Sequence, residues 1–153
     1  MLNVSIRSEF VELPTRQTEF SVGFDCFVPL PFCIKKDGFE DIETNFNAIE
    51  LEVDEIYWLK LGLWFKPDHD KTVWGQMKVR SSLSSSMIVL AGTIDGDYPN
   101  EWILKFAVTK AMVLTPGQAI AQVVFDRRAE ISGLPQKNEQ RRGGWGSTDL
   151  TRS

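Results

Sequence analysis

The sequence predicts an all-β domain, and three observations support this fold class. Apolar residues alternate with polar ones from Val73 to Val79, the period-two pattern of a half-buried strand. Turn residues such as Thr115-Pro116-Gly117 separate short stretches rich in aromatic and β-branched side chains. The chain shows no amphipathic pattern longer than two helical turns and no internal repeat. Several short strands between turns indicate a β-sandwich or a β-barrel.

The strand candidates follow one another with turns between them. In chain order they are the segments 56–65, 73–79, 102–108 and 119–125. Upstream of them, residues 22–25 have the composition of a turn that ends the first strand. Residues 80–83 lead from a strand into a Ser-rich stretch and are expected to cap a short helix. Residues 91–98 have Gly and Asp near their centre, which predicts a β-hairpin.

Length and composition predict one globular domain. The 153 residues are enough for a full core, and 42% hydrophobic with 25% charged residues excludes collagen-like and broadly disordered chains. Cys26 and Cys33 are too few for a disulfide scaffold, and their spacing matches no zinc knuckle. The single histidine, His69, gives little support to a Cys/His metal site or a Ser-His-Asp triad. Chemistry is therefore expected from carboxylates, arginines, hydroxyls and backbone amides.

The N-terminal residues and the hydropathy pattern favour a cytoplasmic location. The first ten residues lack the pattern of a signal peptide. No apolar run approaches the roughly 18 residues of a membrane span. We therefore expect a protein of the reducing cytoplasm with no membrane partner.

The net charge is −4, and the charged residues are distributed unevenly along the chain. Residues 37–55 hold eight acidic residues and no lysine or arginine, which is typical of a solvated loop and strand edge. Residues 127–153 hold six basic residues against three acids. Generic nucleic-acid binding needs a more basic domain, so no nucleic-acid partner is expected, whereas a local arginine cluster suits a nucleoside triphosphate. The aperiodic C-terminus predicts a β domain over 1–136 and a flexible arm over 137–153.

Several residues have the chemistry for a phosphate site. Arg80 precedes two serines at an expected helix start, an arrangement that binds phosphate oxygens. Asp95, at the end of a strand, could act as a general base, with Tyr98 as a flat wall for a ligand. Gln122 lies in an apolar run and needs partners for its amide. Residues 141–148 place glycines around one aromatic and two hydroxyl side chains, which describes a flap that closes over a ligand.

Five segments, in order and spacing, resemble the five motifs of the trimeric dUTPase family. The segments are VGFDC, VRSSLSSS, AGTIDGDYPNEW, PGQAIAQVVF and RRGGWGSTD. The resemblance covers about residues 20–149 and is weakest from about 30 to 56. It implies a jelly-roll-like β-sandwich or barrel with a flexible C-terminal arm that closes over the active site.

The resemblance also implies an activity and an assembly. A dUTPase hydrolyses dUTP to dUMP and pyrophosphate, with a carboxylate, here Asp95, activating the water that attacks the α-phosphorus. The family implies a homotrimer whose active sites are shared between subunits. It also implies Mg²⁺, held mostly by triphosphate oxygens and water, with no direct protein ligand expected.

The implied substrate contacts come from four parts of the chain. The phosphates would be contacted by Arg80, Ser81, Ser82 and Gln122. The uracil edge would be hydrogen-bonded by Thr93, Ile94 and neighbouring backbone, and the deoxyribose would pack against Tyr98. Ile103 and the tail residues Arg141, Trp145, Gly146, Ser147 and Thr148 complete the predicted binding set.

Two assignments stay open within this set. In the tail, Arg141 is favoured for the γ-phosphate, with Arg142 as the alternative because of the register. Asp25 has either a structural role, which we favour, or an indirect role beside the metal.

Two alternatives share the same fold. A dCTP deaminase-like enzyme, or one that acts on both dCTP and dUTP, would need a glutamate in the strand after the third motif. Lys105 occupies that position here. A regulatory binding protein that has lost catalysis would not need Asp95, Gln122 and a complete glycine-rich tail, and this chain keeps all three.

Overall fold

A computed structural model describes residues 1–40 and 42–138. These residues form thirteen strands and one short 3-10 helix at Ser81–Leu83. The strands are β1 (Ile6–Ser8), β2 (Phe24–Phe27), β3 (Phe32–Lys36), β4 (Glu43–Asn45), β5 (Ile49–Leu51), β6 (Ile56–Lys60), β7 (Leu63–Phe65), β8 (Val73–Lys78), β9 (Met87–Leu90), β10 (Thr93–Ile94), β11 (Ile103–Val108), β12 (Met112–Leu114) and β13 (Ala119–Arg127).

Two antiparallel sheets form the body of the domain. One has five strands in the order β4-β3-β6-β11-β9, and the other has four in the order β10-β8-β13-β2. Two-stranded ribbons, β1-β7 and β12-β5, flank them. The predicted all-β fold is confirmed, and within the described residues it takes the form of a sandwich with no closed barrel.

A single apolar core joins the two sheets. The inward residues of β8, at Val73, Gly75 and Met77, are buried while their neighbours are not, so the predicted alternation is confirmed. Trp102, which directly precedes β11 and is only 1% exposed, lies 6.2 Å (ring centroids) from Phe125 of β13. Because side chains from both sheets interdigitate in this way, burial of their apolar area stabilises the sandwich as a unit.

The structure corrects the predicted hairpin at 91–98. β10 pairs with β8, whereas β11 pairs with β6 and β9. The segment between β10 and β11 makes a tight turn, in which the Tyr98 N–H donates to the Asp95 carbonyl at 3.0 Å. The turn is therefore present, but it carries the chain from one sheet to the other instead of joining paired strands.

Two other segments also differ from expectation. Residues 22–25 do not end the first strand, since β2 begins at Phe24 after a bend. The apolar segment 56–65 divides into β6 and β7 at Gly62, whose φ is +68°. There the Gly62 N–H donates to Glu101 Oε2 at 2.7 Å, and the Gly62 carbonyl accepts from the Glu9 N–H at 3.0 Å. A left-handed glycine thus ends one strand and starts the next.

None of the helical structure in the described residues has the length and apolar character to cross a membrane.

Replacement of Gly62 tests this break. A Cβ on Gly62 would stand 2.7 Å from the Glu9 carbonyl oxygen, in a backbone conformation that already disfavours side chains. Gly62→Ala should lower the free energy of unfolding by about 2 kcal/mol or more in urea titrations. Gly38→Ala is the matched control, because Gly38 also has a positive φ but has open space around it. Its loss should be about 1 kcal/mol, and equal losses for the two variants would contradict the steric account.

Candidate active site

The four-stranded sheet carries most of the predicted site residues. Asp25 lies on β2, Gln122 on β13, Arg80, Ser81 and Ser82 directly after β8, Thr93 and Ile94 on β10, and Asp95 directly after β10. Two described residues lie elsewhere: Tyr98 is in the turn between β10 and β11, and Ile103 begins β11 in the other sheet, paired with Lys60. The predicted contacts therefore converge on one sheet, but they do not all lie at one place on it.

Strand register divides these residues between the two ends of β8. Gln122 pairs with Lys78 on one side and with Asp25 on the other, which puts both beside the end of β8 that leads to Arg80. Ile94 pairs with Gly75, which puts Asp95 level with the start of β8. Gly75 and Lys78 are three residues apart in the strand, about 10 Å at roughly 3.3 Å per residue, and Asp95 and Arg80 lie beyond these two levels in opposite directions. One chain thus holds two half-sites, a phosphate half-site around Arg80 and a carboxylate half-site around Asp95.

An ion pair organises the phosphate half-site. Arg80 Nε donates to Asp25 Oδ1 at 3.1 Å, and Asp25 is buried, at 7% exposure. Arg80 Nη1 lies 3.4 Å from both the Ser82 hydroxyl and the Ala119 carbonyl. The Arg80 side chain stays 30% exposed, so a fixed guanidinium faces solvent beside two exposed serine side chains. This arrangement suits an anionic ligand.

The 3-10 helix after Arg80 confirms the predicted short helix. Arg80 is extended, with φ −73° and ψ 145°, and its side chain makes no capping bond to the helix. Its guanidinium is instead directed to Asp25. The buried carboxylate therefore sets the direction of the arginine, which favours the structural role for Asp25.

The Gln122 amide is held by backbone on two sides. Its Nε2 donates to the Val79 carbonyl at 3.2 Å, which supplies the partner that the sequence requires. On the other side, a Cβ on Gly23 would collide with the Gln122 side chain. The glycine of the first motif therefore leaves the space that Gln122 occupies.

The carboxylate half-site is an open cavity of about 740 Å³. Its lining includes Asp95, Thr93 and Trp74, together with two basic residues, Lys71 and Arg128. Ile94 is buried in the core, so only its backbone is available to a ligand. Sequence reasoning missed Lys71, Trp74 and Arg128, although Trp74 could have been found, because it alternates with the buried residues of β8.

Electrostatics distinguish the acidic groups near this half-site. Burial raises the pKa of Glu101. The hydrogen bond that its Oε2 accepts from the Gly62 N–H acts in the opposite direction and lowers the pKa. Hydrogen bonds from the Thr72 hydroxyl and N–H hold the pKa of Asp70 below its usual range, and Arg127 Nη1 lies 3.3 Å from the same carboxylate. Glu101 thus anchors the chain after the Asp95 turn, and Asp70 anchors the loop before β8.

The described residues offer neither a reactive buried thiol at Cys26 nor a cluster of side chains that would cage a metal ion. Burial, and secondarily the nearby Asp25 charge, raises the pKa of the Cys26 thiol to about 12, so this thiol is not a nucleophile near neutral pH. Across residues 1–40 and 42–138, no three His, Cys, Asp or Glu side chains cluster in a way that could hold a metal ion. The tail predictions, at Arg141, Arg142, Trp145, Gly146, Ser147 and Thr148, lie outside the described residues.

Comparison with known proteins finds a similar curated protein. No family model matches the chain. The deoxyuridine 5'-triphosphate nucleotidohydrolase of Fowlpox virus (strain NVSL) is 29% identical over 155 residues, which cover 94% of this chain and 93% of that protein. The chain is therefore similar to a dUTPase along nearly its whole length. The resemblance that the five motifs predict is therefore confirmed.

Solved structures show that the fold is that of dUTPases. The native dUTPase of EIAV superposes with a TM-score of 0.64 at 16% identity, over 90% of this chain and 99% of that one. A mutant dUTPase from phage phi11 of S. aureus, described with a structural Mg(II) ion, gives a TM-score of 0.63 at 17% identity, over 89% and 97% of the two chains. These likenesses concern the fold alone.

The ion pair of the phosphate half-site predicts a stability effect. Asp25→Asn removes the charge that compensates a half-buried guanidinium, so the free energy of unfolding should fall by about 1–3 kcal/mol. Glu130→Gln is the control, because the Arg128–Glu130 pair is exposed and should contribute less than about 0.5 kcal/mol. Chemical denaturation of the three proteins checks this, and an Asp25→Asn variant as stable as the control would contradict the assigned role.

Proposed function

We propose that this protein is a dUTP diphosphatase that hydrolyses dUTP to dUMP and pyrophosphate. One observation supports the proposal most: a dUTPase fold carries a carboxylate at a defined turn and a fixed arginine with serines and an amide at the opposite end of the same strand. The curated Fowlpox virus relative is named for this activity and matches nearly the whole chain. The presence of Asp95, Arg80 and Gln122 at their family positions supports the same activity here.

In the proposed reaction, Asp95 acts as general base. A water molecule beside its carboxylate gives up a proton to Asp95 as the water oxygen bonds to the α-phosphorus. The bond from the α-phosphorus to the bridging oxygen breaks, and pyrophosphate leaves with the electron pair. Arg80 and the hydroxyls of Ser81 and Ser82 would stabilise the phosphate charge, and Gln122 would contact the α-phosphate region.

The nucleoside would be bound at the turn. Backbone groups of Thr93 and Ile94 would read the uracil edge, and the Tyr98 ring would pack on the deoxyribose, where it leaves no room for a 2′-hydroxyl. Ile103 would contribute an apolar contact from β11. Trp145 would stack on the base, and Arg141, Gly146, Ser147 and Thr148 would close over the phosphates.

The separation of the half-sites supports a shared active site. Asp95 and Arg80 lie beyond levels of β8 that are already about 10 Å apart, so we infer that the base of one chain meets the arginine of another. A homotrimer with heterologous contacts brings unlike surfaces together around a closed ring, which satisfies this requirement. In this assembly the tail would come from the third chain. The proposal includes a cytoplasmic location and no nucleic-acid or membrane partner.

Magnesium fits this site as an ion that arrives with the substrate. The described residues offer no cage of three carboxylates, whereas Mg²⁺ commonly keeps several waters and binds substrate phosphates with few protein ligands. When bound, the ion would neutralise triphosphate charge. Asp25 is not expected to ligate it, since its carboxylate faces Arg80.

The two alternatives receive less support. At the position where a deaminase-like enzyme needs a glutamate, Lys105 lies over the Trp58 ring, with its Nζ 4.6 Å from the ring centroid. A noncatalytic binder has no need for a base in an open cavity opposite a prepared phosphate half-site. Neither alternative explains both half-sites.

Product analysis across nucleotides tests the proposal. With Mg²⁺ present, the wild-type protein should release pyrophosphate from dUTP at least about 10-fold faster than from dCTP, dTTP or UTP, since a missing or clashing contact costs roughly that factor or more. Ammonia release from dCTP would support the deaminase alternative. Tight dUTP binding without any product would support the inactive binder.

Asp95→Asn tests the assigned base. The amide cannot accept the proton, so turnover should fall at least about 100-fold while dUTP binding remains within a few-fold of wild type. Asp54→Asn is the matched control, because it makes the same chemical change at an exposed residue in the acidic stretch. Near-normal turnover by Asp95→Asn would exclude the assignment.

A further inference from the structure

His69 is a buried residue with no part in the proposed reaction. It is 4% exposed and stacks on Phe65, with ring centroids 3.8 Å apart and planes 10° apart. The Ser5 N–H donates to its Nδ1 at 3.2 Å, and its Nε2 lies 2.9 Å from the Val73 carbonyl oxygen. Both ring nitrogens are therefore engaged by backbone.

These contacts define the chemical form of the ring. An acceptor at Nδ1 and a donor at Nε2 describe the neutral imidazole with its proton on Nε2. In that form the ring joins the N-terminal segment at Ser5 to the first residue of β8 at Val73. The Lys66 N–H donates to the Ser5 carbonyl at 2.8 Å, so the loop from Lys66 to Val73 is fastened to Ser5 at two points.

Gly96 packs against the same loop. A Cβ on Gly96 would collide with the Lys71 carbonyl and would stand 2.6 Å from the Val73 carbonyl oxygen. The turn that follows Asp95 therefore lies flat on two carbonyl groups, one of which accepts the His69 bond. His69, Gly96 and Tyr98 also line a common cavity of about 230 Å³. The histidine and the Asp95 turn thus both approach the Val73 carbonyl of this loop.

We propose that His69 is a positioning residue for Asp95. It acts through the Val73 carbonyl, which sets where Gly96 and the turn rest. This inference rests on the proposed function, in which Asp95 is the base. The path runs from Ser5 through the ring to Val73, then across the close backbone contact to Gly96 and Asp95. Only glycine fits at position 96 of this path.

Two variants interrupt the path at different points. His69→Phe keeps an aromatic ring against Phe65 but removes both hydrogen bonds. Gly96→Ala leaves His69 intact but lifts the turn off the loop. Each should reduce dUTP turnover at least about 10-fold, a loss typical of misplaced catalytic groups. His69→Gln, which can still accept and donate, should recover part of the activity.

A double-variant comparison separates positioning from a general loss of structure. If His69 acts through Asp95, then His69→Phe should change the residual turnover of Asp95→Asn by less than about 2-fold. Once the base has been removed, its position no longer affects turnover, so the two substitutions are not additive. Leu59→Ala is the destabilised control, since Leu59 is fully buried in β6 and lies outside the loop and turn described here. Its turnover, measured where it is folded, should stay near wild type. Equal losses for His69→Phe with and without Asp95 would overturn the proposal.

Amide hydrogen exchange gives a readout that needs no activity. The Tyr98 N–H, which closes the turn on the Asp95 carbonyl, should exchange at least about 10-fold faster in His69→Phe and Gly96→Ala than in wild type, as local opening becomes easier. Unchanged Tyr98 exchange would refute the coupling. If the wild-type protein does not hydrolyse dUTP, the proposed function fails, and the exchange rates alone decide whether His69 positions the turn.

Discussion

The pairing of β8 with β10 on one side and β13 on the other is the constraint on which the rest of the site depends. Register fixes Ile94 opposite Gly75 and Gln122 opposite Lys78. A slip of one residue would turn every inward side chain of β8 outward and expose the core. Because burial of Val73 and Met77 forbids that slip, the same packing that stabilises the sandwich also sets the distance between the two half-sites.

Each half-site is built on a buried polar interaction at the end of the same strand. At the Arg80 end, the ion pair with the Asp25 carboxylate restricts rotation of the Arg80 side chain. A bound phosphate would therefore meet a guanidinium that is already oriented. At the Asp95 end, backbone carbonyls of Lys71 and Val73 support a turn that a side chain at position 96 would displace. Preorganised polar groups of this kind lower the cost of reorganisation during a reaction. Glu101, in the segment between the turn and β11, adds a further anchor, because its carboxylate accepts the Gly62 N–H.

Sequence reasoning predicted the strands well and their partners poorly. The alternation through β8 and the turn at Thr115-Pro116-Gly117 are local signals, and both are present in the structure. The hairpin expected at 91–98 fails because nothing local in Thr93-Ile94 specifies β8, a strand that is 15 or more residues upstream, as its partner. The break between β6 and β7 at Gly62 also could not be predicted from the sequence, since a glycine within an apolar segment can adopt either sign of φ. The family resemblance implied both the site residues and a site shared between subunits, and the register adds that the two groups of residues lie toward opposite ends of β8. The positioning roles of His69 and Gly96 could not be predicted from the sequence, because both depend on backbone carbonyls that the fold brings near them.

We propose that Asp95 of one chain works with Arg80 of another in a shared site. Mixing two inactive variants tests it most directly. Asp95→Asn and Arg80→Ala chains, each with little dUTP turnover alone, are denatured together in equal amounts and refolded as mixed oligomers. If sites are shared between neighbouring chains, about a quarter of them should combine an intact Asp95 with an intact Arg80. Turnover should then recover to about a quarter of the wild-type value, whereas a chain carrying both substitutions, mixed with either single variant, should show no recovery. Failure of the two single variants to complement each other, in oligomers shown to contain both chains, would contradict the account.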